Sequence, residues 1–287
     1  MAKKNSYRVF EKEEIIARKI HKIRRSNDGS TFESSETIDD LSVEKPLEIR
    51  VRTKGVTAFK SIAVTMRTPG QDQNLVTGFL YSEGITKDPK AIVTYNQKTK
   101  NIAEVELING FQDKLDSIKR NFFTSSSCGI CSKGSLDQVE IESTILPYTS
   151  TIQLNQNTIF NMIEKCDHIK GVFSKTGGCH SMTLFDSEAN LVIQQEDVGR
   201  HNAMDKLIGC SLLSGINNFS NHCVVVSGRL SFELIQKASM MGTAILIARG
   251  APTSLAIEEA VAQNMCLIGF ADSSRLNIYS GFERLKT

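Results

Sequence analysis

The sequence predicts an α/β protein, with a mixed α+β N-terminal part and a C-terminal α/β sheet domain. From His222 onward, short runs that are apolar throughout alternate with helix-length stretches, the pattern of a parallel sheet covered on both faces. Earlier in the chain apolar and polar residues alternate singly, the period of half-buried strands. A chain of 287 residues with 40% hydrophobic and 23% charged residues has material for one large or two modest cores. The expected division is a charged segment over 1–40, an α+β part over 41–135 ending in a Cys-x-x-Cys loop, and an α/β domain over 136–287. The boundary is placed between about Asn121 and Ser150.

In order, Ile16, Ile20 and Ile23 fit one helical face but equally an irregular strand, and that segment stays open. Leu41 to Val51 alternates as a strand with Pro46 near its start, and Ile62 to Met66 is another, ended at Pro69-Gly70. Asn74 to Ser82 reads as a helix with Leu75, Val76, Phe79 and Leu80 on one face and Gly84 just past its end. Strands over Ile92 to Tyr95 and Ile102 to Leu107 flank a turn-like Asn96 to Asn101. Leu136 to Pro147 alternates weakly. Asn155 is a suitable cap for a helix to Cys166, with Ile159, Met162 and Ile163 inward. Met182 to Phe185 and Leu191 to Gln195 form a hairpin, and Arg200 to Leu213 a helix. Then come strand His222 to Val226, helix Phe232 to Met241, strand Ala244 to Ala248, helix Ser254 to Gln263 and strand Cys266 to Phe270.

The 34 basic and 32 acidic residues leave a net charge of +2, so nothing global calls for nucleic acid or an anionic membrane. Met1 to Glu14 is polar and lacks the apolar stretch of a signal peptide, and no run is long and apolar enough for a bilayer. The expectation is a cytoplasmic protein whose seven cysteines are mainly reduced thiols.

Chemistry concentrates in Ser127-Cys128-Gly129-Ile130-Cys131-Ser132-Lys133-Gly134-Ser135, a Cys-x-x-Cys pair among small polar residues. This reads as an exposed loop in which Lys133 and backbone donors favour thiolate. The pair alone fits half a zinc site, a redox couple or a sulfur relay, and Cys166, Cys179, Cys210, Cys223 and Cys266 form no second close pair. In open α/β sheets ligands bind beyond the strand carboxyl ends. Those positions are Ser227-Gly228-Arg229-Leu230-Ser231, Arg249-Gly250-Ala251-Pro252-Thr253 and Phe270-Ala271-Asp272-Ser273-Ser274-Arg275, each with an arginine, two of them opening helices. A phosphate-bearing ligand suits them, with Gly228 and Gly250 allowing close backbone approach. Arg200 can pair with a phosphate bidentately, and His201 or Asn202 can donate to a ligand edge. In the alternative, Asp197 only caps a helix and Asp205 and Lys206 face solvent. Gly177-Gly178-Cys179-His180-Ser181 is a further dense spot.

Taken together, the cysteine loop, Gly177 to Ser181, Glu196 to Lys206 and Ser227 to Glu233 resemble the formate dehydrogenase accessory sulfurtransferase family, FdhD. Arg67-Thr68-Pro69, Gly78 to Leu80, Glu83 to Ile85 and Ala251 to Ala256 extend the resemblance. It implies a fold similar to the cytidine deaminases and a homodimeric sulfur carrier. Such a carrier takes sulfur from a cysteine desulfurase as a persulfide. It passes the sulfur to the molybdenum cofactor, Mo-bis(molybdopterin guanine dinucleotide), for formate dehydrogenase. The family's catalytic pair maps onto Cys128 and Cys131, and its cofactor segment onto Phe270, Ala271, Asp272, Ser273, Ser274 and Arg275. The guanine dinucleotide phosphates would account for Arg229, Arg200 and His201 nearby. Asp272 stands where the family pattern often has arginine, which leaves Arg275 as the phosphate contact. The deaminase His-x-Glu and Pro-Cys-x-x-Cys zinc pattern is missing, so neither zinc nor deamination is expected. The competing reading is a non-catalytic chaperone for the cofactor or apoenzyme, with a structural metal at the cysteine pair.

Overall fold

The computed structural model describes residues 13–117, 123–124 and 150–286. The chain begins with two long antiparallel strands, β1 (Ile15–Arg25) and β2 (Phe32–Ser42), which pair only with each other among the described residues. The isoleucine spacing left open in the sequence therefore belongs to a strand.

β3 (Lys45–Thr53), β4 (Lys60–Arg67), β5 (Ile92–Thr99), β6 (Ile102–Leu107) and the short β7 (Phe123–Thr124) form one sheet in the order β5-β6-β3-β4-β7. The expected strand from Leu41 to Val51 is thus two strands, broken between Ser42 and Lys45. The turn expected at Asn96 is also corrected, because pairing with β6 carries β5 on to Thr99. Alternation in β3 puts Leu47, Ile49 and Val51 fully inside, against Leu75, Val76 and Leu80 of α1 (Asp72–Ser82). α2 (Gln112–Ser117) closes this part.

The second part opens with β8 (Leu154–Asn155) and α3 (Gln156–His168), where the Asn155 side chain accepts from Thr158 N as an N-cap. The short α4 (Val172–Thr176) follows. A mixed sheet is then built from β9 (His180–Asp186), β10 (Leu191–Asp197), β11 (His222–Val226), β12 (Ile245–Ala248), β13 (Cys266–Gly269) and β14 (Asn277–Ser280), in the order β10-β9-β11-β12-β13-β14. Only β11, β12 and β13 run parallel, while β9, β10 and β14 are antiparallel to their neighbours. The three strands expected to be parallel from His222 onward are so, and the expected hairpin of β9 and β10 joins them on one side, while β14 adds an antiparallel edge on the other that the sequence reading did not include.

Both faces are covered. α5 (Arg200–Leu213), α6 (Phe232–Met241) and α7 (Ser254–Ala262) pack Met204, Leu207, Leu234, Ile235 and Ala256 on one side. α3 packs Ile159, Met162 and Ile163 on the other, with β8 and its parallel partner β15 (Leu285–Lys286). Each fully buried leucine, isoleucine or methionine among these contributes about 1.5–3 kcal/mol.

The two parts meet where α1 crosses α5 backbone to backbone. A Cβ on Gly78 would lie 1.8 Å from the Asp205 carbonyl oxygen, and one on Gly209 would lie 1.9 Å from that of Asn74. Only glycine permits that approach.

Candidate functional site

Register places six strand ends on one edge of the mixed sheet. Asp197 pairs with His180, Val226 with Met182 and Ala248, Ile247 with Ile268, and Gly269 with Asn277. The carboxyl ends of β10, β11, β12 and β13 therefore lie beside the starts of β9 and β14. Arg200, His201, His180, Arg229 and the stretch from Phe270 to Arg275 all follow or precede those ends.

The loops on this edge are knitted by backbone hydrogen bonds. Gly250 N donates to Gly228 O, Phe270 N to Gly250 O and Leu230 N to Ala251 O. Gly228 faces the His180 ring, which a Cβ would approach to 3.1 Å, and Gly250 sits against Arg229 at 3.0 Å. Both glycines thus serve packing between loops.

The cations on this edge differ. Arg249 is committed, donating to Ala271 O at 3.1 Å and pairing with Asp167. Arg275 donates to Asp272 at 3.3 Å and lies over the Phe270 ring. Arg200 and the exposed Arg229 have no hydrogen-bond or ion-pair partner among the described residues. Asp272 organises its own turn, accepting from Ser274 N, Ser274 Oγ and Arg275 N. The Ser274 hydroxyl, then those amides, hold its carboxyl down at about 2. Asp272 is therefore the acceptor that shapes the loop presenting Arg275. Phe270 adopts φ 50, a left-handed conformation that costs an ordinary residue about 1–2 kcal/mol and recurs at binding sites.

His180 is held below its ordinary value by burial and by Arg200, against the pull of Asp197. His201 is driven further, to about 3, by burial first and then by Lys237 and Arg200. Both imidazoles are neutral at pH 7, and His201 Nε2 lies 3.5 Å from Ser231 Oγ and 3.9 Å from Glu233.

Behind this edge stands a buried polar seam that joins the two parts. Asp197 accepts from Lys206 Nζ at 2.7 Å, Thr68 N at 3.1 Å, Gly199 N at 2.9 Å and Asn202 Nδ2 at 3.3 Å. Asn202 Nδ2 also donates to Met66 O, and Thr65 Oγ1 donates to Asn202 Oδ1. Arg67 is fully buried and gives its N–H groups to Asp72 bidentately and to the carbonyls of Lys45, Pro46 and Lys100. Lys237 reaches Asp205, Glu83 and Ser82. Burial raises Asp205 to about 6 against Lys237, while Asp205 and Glu83 raise Lys237. The solvent-facing alternative for Asp205 and Lys206 is overturned, as both are buried and ion-paired. Glu196 has its own task, accepting the Val172 and Phe173 amides that open α4.

Cys128 and Cys131 lie outside the described residues, as do the alternation from Leu136 to Pro147 and nearly all of the boundary interval.

A sequence model of the FdhD/NarQ family matches residues 42–286. The Sulfur carrier protein FdhD of Streptomyces avermitilis is 38% identical over 274 residues, covering 92% of this chain and 94% of that protein. The protein of the same description from Saccharolobus solfataricus is 36% identical, covering 91% and 95%. Among solved structures, a formate dehydrogenase accessory protein from Desulfotalea psychrophila superposes with a TM-score of 0.70 at 21% identity, over 95% of this chain and 99% of that one. At that identity the structure speaks for the fold alone.

Proposed function

The chain belongs to the FdhD/NarQ family, and from that membership we propose that it carries sulfur for the maturation of formate dehydrogenase. In this reading Cys128 thiolate attacks the outer sulfur of a cysteine desulfurase persulfide. A new S–S bond forms on Cys128 and the donor cysteine leaves as thiolate. Cys131 thiolate then attacks Cys128, forming a disulfide and releasing the outer sulfur at the sulfide level. A thiol reductant restores the pair. The acceptor is the molybdenum cofactor in its bis-guanine-dinucleotide form, with its phosphates at Arg200, Arg229 and Arg275 and a guanine against Phe270.

The supporting observation is where the cysteine segment departs from the fold. β7 ends at Thr124, paired with Thr65, whose hydroxyl is bonded to Asn202 near the head of α5. Cys128 is four residues further along the chain. The same helix opens with Arg200 and His201. Sulfur delivered near that head arrives beside cations with no described partner.

Intact mass after incubation with a cysteine desulfurase and cysteine tests the reading. A reducible gain of one sulfur atom that disappears in Cys128→Ala is expected, together with loss of formate dehydrogenase activity in cells carrying the variant. A variant that still gains the sulfur, or still supports the enzyme, overturns it.

A further inference from the structure

The polar stretch from Gly177 to Ser181 has no task in the relay described for the cysteines. Its histidine, His180, opens β9 on the edge where the cations gather and pairs in register with Asp197. Neither ring nitrogen of His180 has a hydrogen-bond partner among the described residues, whereas His201 Nε2 lies against Ser231 and Glu233. A half-buried imidazole kept for structure is ordinarily hydrogen-bonded.

The ring is nonetheless built into place. Within 4 Å a Cβ on Gly228 would meet this imidazole, 3.1 Å from Nδ1 and 3.2 Å from Cε1, and Gly228 is not among the glycines with positive φ. The glycine makes room for the ring. One residue along β9, Ser181 N donates to Ser227 Oγ at 2.9 Å and Ser227 N to Ser181 O at 3.0 Å. Gln194 Nε2 bridges Ser181 Oγ and Glu196. Glu196 in turn caps α4, which leads through Gly177 at φ 62 towards His180. The charged or titratable neighbours of the ring are Asp197 on β10 and Arg200 and His201 on α5, with Arg229 next in the chain to Gly228. Burial and then Arg200 keep the ring neutral at pH 7.

Given the carrier role proposed for this chain, we infer that His180 is the base that takes the proton from the incoming sulfur as it binds the metal acceptor. Sulfur released at the sulfide level carries a proton, as HS−, and must shed it to bind a metal as sulfido. Coordination acidifies the S–H bond, so a weak neutral base suffices. The S–H bond breaks, its electron pair stays on sulfur, and an N–H bond forms on His180. The imidazolium then gives that proton to the ligand that sulfur displaces, which departs as its conjugate acid. No atom changes oxidation state. Arg200, with no described partner, supplies the positive field that draws the anion to the ring.

The test loads the full chain with radioactive sulfur from a cysteine desulfurase and mixes it with formate dehydrogenase purified inactive from cells lacking this protein. Loading is read by intact mass, and transfer by loss of label and regained activity. His180→Gln, which keeps the bulk of the ring but not the base, is expected to gain one sulfur as wild type does and to transfer it at least about a hundredfold more slowly. The wild-type transfer rate falls with pH as the ring protonates below pH 6.5, and that limb is missing from His180→Gln. Added imidazole restores transfer by His180→Ala, which a purely structural role would not allow. A loaded His180→Gln that transfers like wild type, or a slow variant that keeps the acid limb and whose alanine counterpart ignores imidazole, overturns this proposal alone. Wild type that takes up no sulfur overturns the carrier reading and this proposal with it.

Discussion

Replacing Gly78 by alanine adds one methyl group at the point where α1 and α5 touch. The new Cβ would sit 1.8 Å from the Asp205 carbonyl oxygen, about 1.6 Å short of ordinary contact at 3.4 Å, and 2.9 Å from Gly209 N. Both obstacles are helical backbone, so no side chain can rotate away and the helices must part. Overpacking of that kind costs about 3 kcal/mol, and alanine returns about 1 kcal/mol of helix propensity. The net expectation is a loss of about 2 kcal/mol, read as a fall in Tm of about 4–8 °C for a chain of this size. Gln73→Ala, on the exposed side of the same helix, is the control and stays within about 0.5 kcal/mol. Thermal or urea unfolding by circular dichroism measures both. A Gly78→Ala protein as stable as wild type, or more stable as propensity alone dictates, would refute the backbone crossing.

Asp197→Ala removes an acceptor shared by four donors and strands the buried Lys206 ammonium, for an expected loss of about 3–5 kcal/mol in urea unfolding; a loss under about 1 kcal/mol would show that the pair is dispensable. His201 has a folded value near 3 against 6.5 in the unfolded chain, so between those values the unfolded state binds the extra proton and stability rises with pH. Relative to His201→Gln, wild type should lose about 2 kcal/mol between pH 7 and pH 5, and parallel stability curves for the two would rule out a buried neutral imidazole.

Much of the fold was legible because it is written locally. α5 spans Arg200 to Leu213 as its periodicity predicts, and Asn155 caps α3 through a neighbour three residues on. What escaped depends on distant partners. Ile16, Ile20 and Ile23 satisfy helical spacing, and only their pairing with β2 makes them a strand. α4 went unseen because its first amides are capped by Glu196, more than twenty residues later. β14 escaped as well, since its four half-exposed residues become a strand only through pairing with β13. At the site, the strand-end rule located Arg229 and Phe270 to Arg275 on one edge. Nothing local distinguished the committed Arg249 from Arg229, because Asp167 comes from another element. The stretch from Glu196 to Lys206 looked like ligand chemistry, yet most of its polar groups are spent holding the two parts together.

The spacing of that seam has a consequence for biosynthesis. Thr68 meets Asp197 across 129 residues, Thr65 meets Asn202 across 137, and Ser82 meets Asp205 across 123. At about 5–20 residues per second, translation leaves the first part waiting roughly 6–26 seconds for α5. Arg67 does not wait, since all its acceptors lie between Lys45 and Lys100. The first sheet can therefore form on the ribosome with its buried cation already satisfied. The Gly78 side of α1 stays bare until the second half emerges, and it is the surface on which a nascent chain of this protein is open to chaperones and proteases.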